Sequence, residues 1–462
     1  MNYRKYIGDR AFYGRVFTVM IPILIQNVIT NFVSLLDNLM VGQIGTEPMS
    51  GVAIVNQLIF IFNIAIFGGL AGPGIMIAQF YGKKDNDGVK YTFRYKLYVA
   101  LAITVLFSTV VITLQDALIG MFLHEGDSGL SVDATMNYAK SYLAVMIWQV
   151  PIFAAQQVYA GTLRETGETM LPMKAGIIAV LVNLVGNWIL IFGKLGAPAL
   201  GVVGAAIATV ISRITELLII AVWTHKHKTS GFSVSGVYDS PYVPGPLVKK
   251  TVLMSFPLFI NEILWSTGMT TLNQCFSLRG LEVVSAVNIT GTASNLFFCA
   301  FFAVGNTLAI MVGQLLGAGE LERAKKEDTC HIAFSVAFAT AVGIIMACVS
   351  PKIPELYNTI PVVKKTAAYM LIVNACMMPF NAFSHAAYFT LRSGGKTWIT
   401  FVFDSGFVWA FQVPLAYILS HFTALPILPL YTIVTVAEGL KIILGYIFVK
   451  RGKWINNLVT DL

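Results

Sequence analysis

The sequence predicts an all-α membrane protein with twelve transmembrane helices, arranged as two parallel six-helix repeats that form two lobes around a central cleft. Three observations carry the prediction. Hydrophobic residues are 56% of the 462 and charged residues 12%, whereas about a quarter of an ordinary soluble chain is charged; folding in water would leave much of that apolar surface uncovered. Apolar runs of bilayer-spanning length, about 20 residues, follow one another along the chain. Residues of the first half recur in the second at a nearly constant spacing.

The runs are read as spans near 15–38, 50–81, 92–118, 137–161, 171–193, 200–224, 248–275, 283–315, 329–350, 366–389, 398–420 and 426–449. Charge and turn clusters separate them, none alternates polar and apolar residues, and all exceed a barrel strand in length, so the segments are helical. Met1 to Arg15 is short and basic and leads into the first run without a small-residue cleavage site, which makes that run a span and not a signal peptide. The five cysteines, Cys275, Cys299, Cys330, Cys348 and Cys376, all lie in the second half, at or inside apolar segments. An odd number so placed points to packed thiols and not to a disulfide framework.

Basic residues set the sidedness. Of the 31 Lys and Arg, 23 lie on the N-terminal side of this map, among them Arg4, Lys5, Arg94, Lys96, Lys228, Arg392 and Lys453, and only Lys140, Lys194, Arg279, Lys352, Lys364 and Lys365 lie opposite. The positive-inside rule then makes both termini cytoplasmic. The net charge of +8 is accounted for by a basic surface against anionic lipid, with no nucleic acid required.

Adding 235 to a residue number in the first half pairs Pro22 with Pro257, Ile25 with Ile260, Asn38 with Asn273, Glu47 with Glu282, Gln79 with Gln314, Gly82 with Gly317 and Lys90 with Lys325. Later the offset becomes 228, pairing Pro151 with Pro379, Thr162-Leu163-Arg164 with Thr390-Leu391-Arg392, and Thr169 with Thr397. The change falls where the first half has a polar loop, His124 to Asp133, and loops absorb insertions at least cost. Six spans per copy is an even number, so both copies enter from one side and the repeat is parallel. The expected organisation is an N-lobe over 1–225, a cytoplasmic linker over 226–246 and a C-lobe over 247–462.

The first half reads P-I-L-I-Q-N-V-I, L-L-D-N-L-M-V-G-Q-I-G, G-V-A-I-V-N-Q and A-Q-F-Y-G-K-K-D; the second reads F-P-L-F-I-N-E-I-L-W-S-T-G-M, A-I-M-V-G-Q-L-L-G-A-G-E and L-R-S-G-G-K-T. In order and spacing, over nearly the whole chain, this resembles the multidrug and toxic compound extrusion (MATE) transporters, and among them the large bacterial group with Asn-Glu-x-Leu-Trp in span seven. The resemblance implies a bacterial inner-membrane secondary antiporter. It would export amphipathic, often cationic compounds in exchange for H+ or Na+, act as a monomer and need no cofactor.

Asp37 stands 22 residues after Arg15, roughly 33 Å along a helix at about 1.5 Å per residue. Its motif matches the family's first-span aspartate, which is implicated in ion coupling; the alternative is a helix-end carboxylate facing extracellular water. The family's Asn-x3-Asp of span five is here Asn183 and Asn187, one helical turn apart on one face. The missing second acid weakens a two-carboxylate proton relay, while amide oxygens still suit a sodium ion. Interhelical hydrogen bonding is the other reading of the pair. Glu262, five residues past Pro257, resembles the span-seven glutamate of its subgroup and is expected either to face the cleft as a counter-charge or to pair with neighbouring helix ends. Asp404, in F-V-F-D-S-G-F-V-W, is the other second-half acid, a gate contact or a cap. Lys396 stands in the preceding loop where the subgroup often has an acid, which puts a gating role for that loop in doubt. Arg213 with Glu216 and Glu438 with Lys441 read as i,i+3 ion-paired struts.

Two other functions compete with transport of this kind. A lipid-linked oligosaccharide flippase of the same superfamily would be expected to carry an arginine-rich cleft, whereas intramembrane bases here are few and paired. An intramembrane enzyme would need a site motif, and neither His-Glu-x2-His, Gly-x-Ser-x-Gly nor a phosphate-cradling loop is in the chain.

Overall fold

The computed structural model describes residues 6–122, 131–226, 236–357 and 359–460, without the side chains of 33–35, 38, 39 and 281. Arg4, Lys5, His124, Lys228 and the side chain of Asn38, all used in the sequence argument, lie outside the described residues.

Twelve helical segments match the twelve predicted spans. They are α1 (Arg10–Gly42), α2 (Thr46–Lys83), α3 (Asn86–Thr113), α4 in two pieces (Val132–Met146 and Gln149–Glu165), α5 (Met170–Phe192), α6 (Gly201–Lys226), α7 (Gly245–Ser277), α8 (Leu281–Gly317), α9 (Leu321–Val349), α10 (Pro361–Ser393), α11 (Thr397–Phe422) and α12 (Ile427–Lys450). Ten are each long and apolar enough to cross a membrane, and the two pieces of α4 together make an eleventh. The remaining helix, α7, has 33 residues but a polar interruption at Asn261, Glu262, Ser266 and Thr267. Leu106, Leu218 and Ile443 point outward and are exposed, as a lipid solvent permits.

Three helices depart from regular geometry. The fourth span bends by 45° between its two pieces, because Pro151 offers no N–H and its ring crowds the carbonyl four residues back. Its repeat partner Pro379 sits inside an unbroken α10. The π turns Val402–Gly406 and Val408–Gln412 widen α11 around Asp404, and a 3-10 turn, Glu438–Leu440, interrupts α12 just before Lys441.

The chain forms two compact units: one from Met1–Leu24, Ala78–Lys84 and Lys249–Leu462, the other from Ile25–Ile77 and Asp85–Val248. Helix α1 thus passes from one unit into the other, and the change falls just after Pro22, the proline inside it.

In the unit that includes most of the second half, the start of α1 packs on α8 and α9. Val19, Met20 and Ile23 join Ala303, Val304 and Ile310 in one buried cluster, and Arg15 Nη2 meets Glu327 Oε1 at 2.6 Å. The C-terminal segment is buried here as well: Trp454 is 1% exposed, and Gln79 donates to the carbonyls of Ser393 and Asn456 while accepting from Leu458 N.

In the other unit, α5 and α6 approach closely through small residues, as membrane helices do. A Cβ added to Gly186 would lie 2.9 Å from Ala208 Cβ, and one added to Gly204 would lie 2.5 Å from the Leu190 carbonyl oxygen. The guanidinium of Arg94 donates to the carbonyls of Gly236, Val237 and Tyr242, and Lys96 forms an ion pair with Glu165. Both bases are buried, which corrects their reading as part of a lipid-facing basic surface: a charge on a helix near the interface can turn inward when carbonyls or a carboxylate await it. Cys275, Cys299 and Cys330 are buried, whereas Cys348 and Cys376 are exposed and not packed thiols.

Candidate functional site

The close pairing of α5 with α6 brings Asn183, Asn187 and Thr209 together, and α1 presents Asp37 to them. Asn187 Nδ2 donates to Asp37 Oδ1 at 2.7 Å. Amide oxygen and nitrogen are isosteric, and the orientation of Asn183 that satisfies both of its ends donates to the two Asp37 oxygens at 2.8 and 3.1 Å and accepts from Thr209 Oγ1 at 3.2 Å. The reverse orientation keeps the Thr209 contact but turns the Asn183 oxygen toward the carboxylate, and is the weaker choice. Asn187 Oδ1 is buried and has no partner among the described residues, so one acceptor in this cluster is available to a proton donor or a cation. Arg213, one turn beyond Thr209, lies within electrostatic reach of Asp37. It pairs with Glu216 at 2.9 Å and stacks on Phe153 at 5.4 Å.

The three first-half residues singled out in the sequence therefore meet at one place. Thr209 was not among them. It sits in the small-residue run G-A-A-I-A-T of α6, where no charge or motif sets it apart from packing residues.

Glu262 and Asp404 lie in the other unit. Asp404 is held on both oxygens, by Asn261 Nδ2 at 3.1 Å and by Lys441 Nζ at 3.0 Å. Ser405 Oγ locks Asn261 in turn, at 2.7 Å from its backbone oxygen and 2.7 Å from Oδ1. The predicted Glu438 and Lys441 strut is present but long, at 3.7 Å; the nearer partner of Lys441 is Asp404, which sequence spacing could not show. Glu262 is half-buried, in the field of Arg392 and Asp404, and no direct contact joins it to the Asp404 cluster among the interactions described. His385 is packed against the rings of Phe301 and Phe302, 4.7 Å from each centroid.

A further carboxylate escaped sequence reasoning. Asp328, 1% exposed in α9, accepts from Thr390 Oγ1 at 2.6 Å. It stands in the charged run E-R-A-K-K-E-D, which reads as a solvated helix end, and only its position at the packed α9 and α10 interface buries it.

A sequence model of the MatE family matches residues 22–189 and again 257–418; the two starts are separated by the repeat offset of 235. The chain is 25% identical over 453 residues to "Probable multidrug resistance protein YoeA" of Bacillus subtilis, covering 95% of this chain and 94% of that protein. It is 23% identical over 440 residues to "Probable multidrug resistance protein NorM" of Thermotoga maritima, covering 95% and 92%. Among solved structures, "Outward-facing conformation of a multidrug resistance MATE family transporter of the MOP superfamily" superposes with a TM-score of 0.86 at 20% identity over 98% of both chains. A crystal structure of a variant of the "Vibrio cholerae MATE transporter VcmN" gives 0.85 at 17% identity over 96% of this chain and 99% of that one. These likenesses show the fold. With twelve helices, a repeated unit and two family matches spanning most of its length, the chain belongs to the MatE family of multi-pass membrane transporters, and it is not an enzyme.

Proposed function

We propose that this protein is a secondary active antiporter that exports amphipathic, often cationic drugs or toxic compounds in exchange for H+ or Na+ by alternating access. The observation that carries the reading is the meeting of Asp37, Asn183, Asn187 and Thr209 inside a transporter family whose relatives above are described as multidrug resistance proteins. A carboxylate in the membrane is tolerated when it is paired, protonated or bound to a cation. Asp37 has amide donors when its charge is free, and the unpartnered Asn187 oxygen is the acceptor that a bound ion would add to the carboxylate. A coupling ion and a cationic substrate that compete for this acid each stabilise a different arrangement, and the difference in their affinities is what moves the equilibrium.

The wider arrangement in this proposal is an N-lobe over 1–225 and a C-lobe over 247–462 joined by the linker 226–246, with both termini in the cytoplasm of a bacterial cell and one chain acting alone. Asp37, Asn183 and Asn187 carry ion coupling, and Glu262 is the second-half counter-charge. Ethidium efflux from proteoliposomes, with proton and sodium gradients imposed separately, tests the reading. Efflux should follow one of the two gradients and fall in the Asp37→Asn protein; efflux insensitive to both gradients would remove antiport from consideration.

A further inference from the structure

The two halves use one structural locus with opposite charge. Asp404 contacts Asn261 and Lys441. The repeat offsets 228 and 235 make Gly176 and Gln26 the counterparts of Asp404 and Asn261, and a spacing of 225, which pairs Arg213 with Glu438 and Glu216 with Lys441 in the last span of each half, makes Glu216 the counterpart of Lys441. The packing supports this correspondence independently of the offsets. A Cβ added to Gly176 would have Gln26 Nε2 at 3.3 Å and Glu216 Oε1 at 3.7 Å as its nearest polar neighbours. The same three helices of each repeat thus meet at this point. In the first half the acid is on α6, where Glu216 is held by Gln156 Nε2 and Arg213 Nη1, each at 2.9 Å. In the second half the acid is on α11, and the α12 position that mirrors Glu216 carries an ammonium.

Lys441 is 3% exposed. Its ammonium has Asp404 Oδ1 at 3.0 Å, Glu438 Oε1 at 3.7 Å and the face of the Phe407 ring at 5.7 Å. A carboxylate on one side, a second carboxylate on another and an aromatic face make up the surroundings that a monovalent cation or a cationic substrate would seek. Here the chain fills them with its own side chain. Removing a buried partner leaves the other charge uncompensated at a large cost, so a cation from outside displaces Lys441 only if it also compensates that ammonium.

We propose that Lys441 is the built-in cation of the second-half site and that it sets specificity by keeping metal cations and cationic substrates off Asp404. Asp404 is then a charge-compensated anchor and not an exchange site. The inference goes beyond the transport reading, because it concerns which cations can bind and needs no transport to be true.

Thermal unfolding of the purified full-length protein in detergent, titrated with sodium chloride against matched choline chloride, tests it. An Asp37→Asn background takes the first-half acid out of the comparison, and the quantity read is the part of the sodium effect that adding Asp404→Asn removes. With Lys441 present that part should be nil. In Asp37→Asn/Lys441→Gln it should become an upward shift of about two degrees, the scale expected for a large protein once sodium exceeds its dissociation constant about tenfold. An Asp404-dependent shift with Lys441 in place, or none in the folded Lys441→Gln protein, overturns the proposal. Should Lys441→Gln not fold, the neutral pair Asp404→Asn/Lys441→Met replaces both charges together. Radioactive sodium binding to this protein should equal that of the unsubstituted chain, and a loss of bound sodium would overturn the proposal equally.

Discussion

Gly82 and Gly317, equivalent positions of the repeat, each admit the backbone of the other's helix. A Cβ on Gly82 would lie 1.9 Å from the Gln314 carbonyl oxygen, and one on Gly317 would lie 1.9 Å from that of Gln79. The ends of α2 and α8 therefore touch main chain to main chain, where no side chain can give way. Gly82→Ala and Gly317→Ala should each lower stability by about 3 kcal/mol, the upper part of the usual over-packing range, or more. Gly14→Ala in α1, where nothing lies within 4 Å, should be neutral or slightly stabilising. Melting temperatures in detergent check all three.

Asp37→Asn removes the charge but keeps the shape of the residue that Asn187 contacts at 2.7 Å. Efflux in reconstituted vesicles should fall at least about tenfold, with expression and melting temperature nearly unchanged; full efflux in this variant would exclude Asp37 from coupling. Asn187→Leu removes both the donor and the unpartnered oxygen and should also reduce efflux. Its effect should be smaller, because the Asp37 carboxylate stays and keeps Asn183 as a donor.

Arg279 closes the turn between α11 and α12. Its guanidinium donates to the carbonyls of Leu419, Ser420, Thr423 and Leu425, which finish a helix that has run out of N–H partners. Arg279→Ala should destabilise by about 3 kcal/mol, since it leaves several partly buried acceptors without donors. Arg279→Lys should recover only part of this, because an ammonium does not reproduce the planar fork. Denaturation of the two variants side by side gives the comparison.

Trp454 is the largest fully buried side chain, and its carbonyl oxygen lies where a Cβ on Gly394 would be, 1.7 Å away. Trp454→Ala should cost about 3–5 kcal/mol. Truncation after Lys453 should cost more, because Gln79 also loses its partners on Asn456 and Leu458. Size-exclusion profiles and melting curves of the truncated protein report the outcome, and a monodisperse protein of normal stability would show the C-terminal segment to be dispensable.

Lys96 and Glu165 form a buried ion pair in α3 and α4, with the lysine side chain 1% exposed. Lys96→Met alone should destabilise by about 3–5 kcal/mol, because Glu165 loses the buried ammonium that compensates its charge. Adding Glu165→Gln should restore much of the loss. A double-mutant cycle measured by thermal unfolding separates this coupling from lost packing.

Most of the fold was legible in the residues alone, and the candidate site only in part. Apolar runs, their interruptions and the recurrence of Pro22, Gln79, Gly82 and Arg164 at fixed offsets suffice for helix number and duplication, because the bilayer demands long, internally hydrogen-bonded segments and a duplicated unit keeps its spacing. The pair Asn183 and Asn187 was visible for the same reason: residues one turn apart on a helix share a face whatever surrounds them. The fourth span was read as one run, 137–161; it bends beside Pro151, whereas Pro379 in the same repeat position breaks nothing, so the residue permits a bend and packing decides it.

What only the tertiary structure decided are the partners of side chains distant in sequence. Helical spacing pointed Lys441 to Glu438, three residues away, but Asp404, 37 residues away, is nearer. Arg94 and Lys96 read as surface charge and are buried against carbonyls and a carboxylate. Thr209 and Asp328 carried no signal until α5 met α6 and α9 met α10. Periodicity specifies which face of a helix a residue occupies, a local consequence of backbone geometry. Which other face it meets depends on how whole helices pack: Gly176 adjoins Gln26 and Glu216 as Asp404 adjoins Asn261 and Lys441 in the other repeat, yet the acid stands on a different helix in each.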